Sequence, residues 1–467
     1  MNRPNRSTGA RRGRARAALA VAALLAAAAC STEDVVAVSD PDIITPENVN
    51  SAEGAAALRL GALSRFIGAT TGDNGNSAGE TLFMYGGLLA DEWQTGDSFI
   101  QRLETGQRSV TEENSLIRNG YQFAHRARVS AQQAIAALRQ YAPSTPAWQL
   151  AELYFVQAYT ENMLAESFCS GIPFSTVTLE GVEEVGMPLS TADAYVRALV
   201  HVDSALALAT ATDASTTKVR QAAAVLKGRI LLNQNKPAEA AAAVAAVPTA
   251  FAYQNQHSQN TRDNTMWAMN NSARRYTVGQ SEAGEGLPFH LGTDPRLPMC
   301  KPFPTISTAC KNAGVTSGVV FNNGSPTPLY VQLRWPLRDA NVSVADGVEA
   351  RLIEAEAQLR AGDAVAFLAT LNALRTTVTG LAPLADPGTT AGREDLLFRE
   401  RAYWLFATGH RLGDLRRLIR QYGRTEAQVF PTGDFAEGGQ YGHDVNFPVP
   451  QAERNNPNFT GCLNRAA

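Results

Sequence analysis

Few residue patterns in the chain have the spacing that enzymatic chemistry requires. Residues 75–79 (GNSAG) fit the pattern of a nucleophilic serine elbow, but the preceding residues do not form the strand that such an elbow needs. Oxygen-bearing side chains are frequent from Asp73 to Glu80, yet they lack the spacing of a calcium loop, so a structural calcium ion there is a weak alternative. Phosphate-loop, dinucleotide and zinc-protease motifs are absent from the sequence. We therefore predict a protein that is not an enzyme and has no cofactor. A pair of glycosidase carboxylates stays a distant alternative, because such a pair depends on distances in the fold.

Aromatic residues in loop-like segments are the better candidates for a binding site. A sugar-binding surface needs flat aromatic faces for the apolar side of the rings and nearby polar groups for the hydroxyls. Two of the five tryptophans lie on amphipathic helical patterns, whereas Trp93, Trp267 and Trp335 lie in polar loop segments. We predict Trp93 and Trp267 as ligand-binding residues, followed by Tyr276 and Trp335. The alternative is that each tryptophan anchors its loop to a helical layer.

The N-terminus has the pattern of an export signal. Residues 1–29 contain six arginines and no acidic residue, and they end in thirteen apolar residues, which are too few to span a bilayer. The small residues before Cys30 resemble a bacterial lipobox, although Ala27 stands where leucine is usual. We predict lipidation at Cys30 and a polar tether over residues 30–46; the alternative is an ordinary signal peptide with Cys30 incidental.

Export would change both the net charge of the chain and the expected chemistry of its cysteines. Removing six of the 41 basic residues leaves 35 against 44 acidic ones, a net charge of −9, and neither this balance nor that of the whole chain suggests nucleic-acid binding. Four cysteines remain in a compartment where disulfides persist. Of the three possible pairings we favour Cys300 with Cys310 and Cys169 with Cys462, and four free thiols are the alternative.

Helical periodicity dominates the rest of the chain. The Ala-rich pair of segments from 217 to 247 reads as an αα-hairpin of the tetratricopeptide type, in which small residues allow close packing. Between residues 250 and 345 the helical periodicity disappears, which indicates a structured, loop-rich excursion rather than a simple connection. The predicted helices cover residues 50–67, 115–141, 147–168, 191–209, 217–233, 237–247, 346–361, 364–377, 394–408 and 411–422. We thus predict a mostly α fold in one domain, residues 47–467, with helical hairpins at about 115–247 and 346–422.

Residues 399–417 (RERAYWLFATGHRLGDLRR) combine alternating charges with aromatic residues. Such a pattern predicts ion pairs that satisfy charges partly buried against an aromatic core.

Several sequence blocks, in the same order, resemble the SusD/RagB family of outer-membrane nutrient-binding lipoproteins. The block at 399–417 is the most specific of them, and residues 293–298 (TDPRLP) are similar to the family's Asp-Pro-Arg segment. Further similar blocks are AELYFVQAYTENMLAESFCSGIPFS, PLSTADAYVRALVHVDSALAL, VEARLIEAEAQLRAGD with LNALR, and the ending FPVPQAERNNPN.

The resemblance implies a fold of tetratricopeptide-like hairpins and a role without catalysis. It implies a lipid-anchored outer-membrane protein that faces the cell exterior, binds an oligosaccharide or similar nutrient, and delivers it to a TonB-dependent, SusC-like transporter. It also implies that the ligand site is built from the loops around Trp93 and Trp267. The alternative is a tetratricopeptide-type scaffold lipoprotein that binds proteins and has no nutrient ligand.

Overall fold

The computed structural model describes residues 50–72, 80–280, 286–302, 305–321 and 328–467. The predicted signal peptide, the lipidation site Cys30, the tether and most of the 73–80 loop lie outside these residues. Residues 50–467 belong to one compact unit.

Helices make up most of the regular structure. The described residues form fourteen α-helices: α1 Ala52–Thr70, α2 Leu82–Leu89, α3 Ile100–Gly106, α4 Ser115–Tyr141, α5 Ala147–Ser167, α6 Thr191–Leu208, α7 Ala214–Asn233, α8 Pro237–Val244, α9 Thr308–Asn312, α10 Gly347–Arg360, α11 Ala364–Arg375, α12 Thr390–Trp404, α13 Arg411–Tyr422 and α14 Glu426–Val429. A π-helix covers Trp267–Ser272, and 3₁₀ helices cover Phe289–Leu291 and Gln451–Asn455. The predicted mostly α fold is confirmed.

The strands are short and pair two by two. They are β1 Trp93–Thr95, β2 Ile172–Pro173, β3 Thr176–Val177, β4 Glu183–Glu184, β5 Pro188–Leu189, β6 Ala252–Asn255, β7 Tyr276–Val278, β8 Met299–Cys300, β9 Val331–Gln332 and β10 Val342–Asp346. The antiparallel pairs are β1–β7, β2–β5, β3–β4, β6–β10 and β8–β9.

Side-chain caps fix where several helices begin. Asn114 accepts hydrogen bonds from the backbone N–H groups of Leu116 and Ile117, and Ser190 accepts one from the N–H of Asp193. Pro237 occupies the first turn of α8, where a missing N–H has no cost. The predicted starts of α4, α6 and α8 agree with these caps.

Consecutive helices pack as hairpins. α4 packs on α1 and α5, α5 on α6, α7 on α8, and α10 on α8 and α11. The predicted close approach is visible at Gly228 of α7, where a Cβ atom would lie 2.7 Å from Cγ1 of Val244 on α8. These contacts give the tetratricopeptide-like body.

The loop-rich excursion begins and ends in one strand pair. Tyr253 of β6 lies opposite Ala345 of β10, so both ends of the excursion meet directly before α10. Within it, β7 pairs with β1, which lies far earlier in the chain. A second apolar core forms where the excursion meets α2 and α12, and it includes Met84, Met269, Phe289 and Phe406.

The ion pairs predicted within residues 399–417 are present and buried. The Asp414 carboxylate accepts hydrogen bonds from Arg401 (2.8 and 2.9 Å) and from Arg417 (2.8 Å). Arg411 forms a bidentate pair with Asp91 at 2.6 and 2.8 Å. This block thus connects α12 to α13 and α13 to the loop before β1.

The TDPRLP block, residues 293–298, is joined to helix α12 by an ion pair. Arg296 pairs with Asp294 of its own turn and with Glu400 of α12, at distances of 2.6 and 2.7 Å respectively. Glu400 also accepts from Arg375 of α11 at 2.7 Å. None of the helices in the described ranges is long and apolar enough to cross a membrane.

Candidate functional site

Trp93 and Tyr276 lie side by side in the core rather than at the surface. They stand on the paired strands β1 and β7 and are 1% and 0% exposed. The Trp93 ring packs against Phe406 and Tyr276, at centroid distances of 5.2 and 6.3 Å. With no ring face open, these two residues do not form a stacking surface in this structure.

Trp335 and Trp267 have anchoring contacts. Trp335 is buried in the same apolar core, and its backbone N–H donates to the side chain of Gln332 at 2.8 Å. Trp267 is half-buried, and its Nε1–H donates to the carbonyl of Ala313 at 2.9 Å. Burial therefore argues against direct ligand contact by Trp93, Tyr276 and Trp335, whereas the half-buried Trp267 stays a predicted ligand-binding residue.

Among the described residues of this region, the exposed aromatic rings are those of Phe99 and Phe321, which the sequence analysis did not select. Phe99 is the N-cap residue of α3, directly after the β1 turn, and is 45% exposed. Phe321 is 49% exposed, and its backbone N–H donates to the carbonyl of Arg274 at 3.0 Å. The only sequence signal for Phe99 is its position after the turn residues GDS, and Phe321 follows two valines and therefore resembles a buried strand.

A chain of charged contacts links the two phenyl rings. The Arg275 guanidinium lies 4.4 Å from the Phe321 ring centroid and donates to Asp97 at 2.8 Å. Asp97 also accepts from the Phe99 N–H at 3.0 Å and from Arg102 at 2.6 Å. The Arg102 guanidinium in turn lies 5.1 Å from the Phe99 ring. We call these five residues the Phe99–Phe321 surface.

Arg102 anchors this surface to the core. Its side chain is 1% exposed, and Nε donates to Glu80 at 2.6 Å. Burial raises the pKa of Glu80, and the hydrogen bond from Arg102 opposes that rise. Because Arg102 holds both Glu80 and Asp97, which are 0% and 3% exposed, this carboxylate pair is not presented to a glycosidic bond.

The arrangement is suited to binding. Exposed phenyl faces can contact the apolar face of a sugar ring, and the partly exposed Arg275 can donate to hydroxyl groups. Because Asp97 fixes Arg275, little side-chain freedom has to be lost on binding.

Both predicted disulfide pairings are present. Cys169, directly after α5, is bonded to Cys462, with their Cα atoms 5.9 Å apart. Cys300 is bonded to Cys310, with a Cα separation of 5.6 Å. The second bridge closes the loop that ends shortly before Ala313, whose carbonyl accepts from Trp267.

Across the described ranges, no three His, Cys, Asp or Glu side chains come together as a set of metal ligands. Of the 73–80 loop only Glu80 is described, and it is bonded to Arg102. The calcium alternative and the GNSAG pattern otherwise lie outside the described residues.

The fold is similar to solved structures of SusD-like proteins. A SusD superfamily protein from Parabacteroides distasonis has a TM-score of 0.64 and 16% identity, over 88% of this chain and 98% of its own. A SusD-like carbohydrate-binding protein from Bacteroides fragilis and a laminarin-binding SusD-like protein each have a TM-score of 0.63 and 16% identity, over 88% of this chain and 99% of theirs. No protein-family model matches the sequence, and no curated protein is significantly similar to it. The chain has the SusD-like fold, which confirms the predicted resemblance at the level of structure.

Proposed function

We propose that this protein captures an oligosaccharide at the Phe99–Phe321 surface and performs no chemistry on it. The observation that carries the proposal is the pair of exposed phenyl rings, each held against a guanidinium group and joined through Asp97. Two of the structural neighbours are described as carbohydrate-binding and laminarin-binding, which supports a saccharide ligand.

The binding proposal is tested with the folded chain on an array of oligosaccharides, followed by calorimetry with the tightest binder. We expect Phe99→Ala and Phe321→Ala each to weaken binding about tenfold, because each removes one stacking face. Leu337→Ala is the matched control, since Leu337 is a 54% exposed apolar residue with no role in this surface. Unchanged affinity in both phenylalanine variants would place the ligand elsewhere, and recovery of shortened glycan would contradict a role without catalysis.

We further propose that the protein is anchored through lipidated Cys30 to the outer surface of the outer membrane. The arginine-rich, apolar N-terminal segment and the small residues before Cys30 support this proposal. Radioactive fatty acid should label the wild-type chain and fail to label Cys30→Ala. Equal labelling of the two proteins would exclude lipidation at Cys30.

Delivery to a TonB-dependent transporter completes the proposed role. The support is the SusD-like fold together with the export segment. Purification in mild detergent should recover a large outer-membrane barrel with the chain, and protease added to intact cells should cleave it. A chain that is protected in intact cells and purifies without a barrel would instead favour the protein-binding scaffold.

A further inference from the structure

A cleft with charged residues in its lining lies on the helical body, and none of the residues of the Phe99–Phe321 surface contributes to it. It has a volume of about 540 Å³ and lies between α4, the β3–β4 hairpin and the 3₁₀ helix Gln451–Asn455. A second cavity of about 390 Å³ lies between α1 and α4, and Arg65 and Arg126 line both. We call the two cavities together the arginine groove; its charged lining includes Arg65, Arg118, Arg126, Glu183 and Glu453.

One wall of the groove is positively charged. Helix α4 carries four arginines and no acidic residue, and Arg118 and Arg126 lie two turns apart on the face that lines the cleft. In the described part of the chain, no carboxylate forms an ion pair with Arg65, Arg118 or Arg126. Arg65 donates to the Ser130 hydroxyl. All three of these arginines are exposed, so their guanidinium groups are open to an anion from solution.

A polar atom at the base of the cleft lacks a hydrogen-bond partner. It is Nε2 of His125, for which no described residue is a donor or an acceptor. Tyr121 beside it is 3% exposed, and its hydroxyl lies against the Glu453 carboxyl. Desolvation, followed by the charges of Arg128 and Arg197, keeps the pKa of His125 well below its ordinary value, so the ring is neutral. A buried polar atom without a partner costs free energy, which a ligand hydroxyl group would recover.

The opposite wall presents acceptors. Glu183 and Glu453 line it together with Asn455, and the Tyr121 hydroxyl faces the Glu453 carboxyl. A simple anion would leave these carboxylates without donors, and a neutral sugar would leave the arginines without an anion. A ligand that satisfies both walls carries a carboxylate and several hydroxyl groups on one ring.

We propose that the arginine groove binds a uronate-bearing oligosaccharide, with the carboxylate against the arginines of α1 and α4 and the hydroxyls against the Glu453 wall. The inference rests on the proposed function only in that the ligand is a saccharide, because no residue of the Phe99–Phe321 surface lines the groove.

The test is calorimetry of the folded chain with trigalacturonate, a neutral galactotriose and sodium sulfate. We expect trigalacturonate to bind at least tenfold more tightly than galactotriose and to lose at least tenfold in affinity in the Arg118→Gln/Arg126→Gln double variant. Arg139→Gln is the matched control, because Arg139 is exposed on the same helix and contacts Tyr154 outside the groove. Tyr121→Phe should weaken trigalacturonate binding while leaving the weaker sulfate binding unchanged.

Three results would overturn the proposal. One is equal affinity for the acidic and the neutral trisaccharide, and another is an equal loss in Arg139→Gln, which would indicate a non-specific charge effect. The third is binding of phosphatidylglycerol vesicles through the same two arginines without binding of trigalacturonate, which would assign the groove to a lipid surface. The Phe99→Ala/Phe321→Ala double variant should retain trigalacturonate binding. The proposal for the arginine groove and the proposal for the Phe99–Phe321 surface are therefore tested independently.

Discussion

Glu92 shows how strongly burial in the core can change the pKa of a single side chain. Its side chain is buried beside Trp93; one carboxyl oxygen accepts from the Ala407 N–H at 2.7 Å and the other has no partner in the described structure. Desolvation raises the pKa of Glu92 from 4.5 to about 8, against the opposing hydrogen bond from Ala407. The native state therefore binds one proton more than the unfolded state between these two pH values.

This difference predicts a pH effect on stability. Between about pH 4.5 and pH 8 the Glu92 contribution to the free energy of unfolding falls as the pH rises, by roughly 1.4 kcal/mol per pH unit. Glu92→Gln cannot ionise and should remove this slope, so it becomes more stable relative to wild type as the pH rises. Urea unfolding of both proteins at several pH values measures the difference, and parallel pH profiles would contradict the raised pKa.

The elements depend on turns that the sequence only partly reveals. The pattern predicted a helix over 394–408, whereas α12 ends at Trp404, because Ala407 and Gly409 adopt φ values of +55° and +79°. This turn reverses the chain between α12 and α13 and brings the Ala407 N–H to Glu92. The predicted stop at Gly409 is therefore wrong: the helix ends earlier, at Trp404, and Gly409 lies in the turn that leads to α13.

Gly409 should be the least replaceable residue of this turn. A Cβ atom there would collide with the Phe83 ring, in addition to the strain of a positive φ. We expect Gly409→Ala to lower the free energy of unfolding by about 2 kcal/mol or more. Gly423→Ala is the control, since Gly423 has a φ of +69° but open space around it, and it should cost about 1 kcal/mol. Denaturant titrations measure both losses of unfolding free energy. Equal losses in the two variants would show that the collision with the Phe83 ring does not contribute.

At the scale of the molecule, distant segments of the chain are held together by charge and by covalent bonds. Arg411 of α13 pairs with Asp91, and Arg296 of the excursion pairs with Glu400. The Cys169–Cys462 bridge joins residues 293 positions apart, whereas Cys300–Cys310 spans 10 positions. A bridge across a longer loop restricts the unfolded chain more.

The two bridges should therefore differ in their contribution to stability. We expect Cys169→Ser/Cys462→Ser to lower the free energy of unfolding by about 2–5 kcal/mol, and Cys300→Ser/Cys310→Ser to lower it by less. Urea unfolding of the two double variants under oxidising conditions makes the comparison. A larger loss for the short-loop pair would show that the apolar packing around Cys300 and Cys310, rather than loop length, sets the effect.

The sequence by itself determined the mostly helical class, most helix positions and the loop-rich excursion, because these depend on local periodicity and on caps. It favoured one cysteine pairing among three, and the tertiary structure decided for that pairing by bringing the four cysteines together two by two. Tertiary structure alone decided which aromatic residues are open to a ligand. Trp93 became buried because its strand pairs with β7 from the excursion, and Phe99 stayed exposed four residues after that strand ends. The exposure of a residue depends on which distant segments cover it. The sequence near Trp93 and Phe99 does not indicate that β1 pairs with β7, so it could not predict which of the two rings is buried.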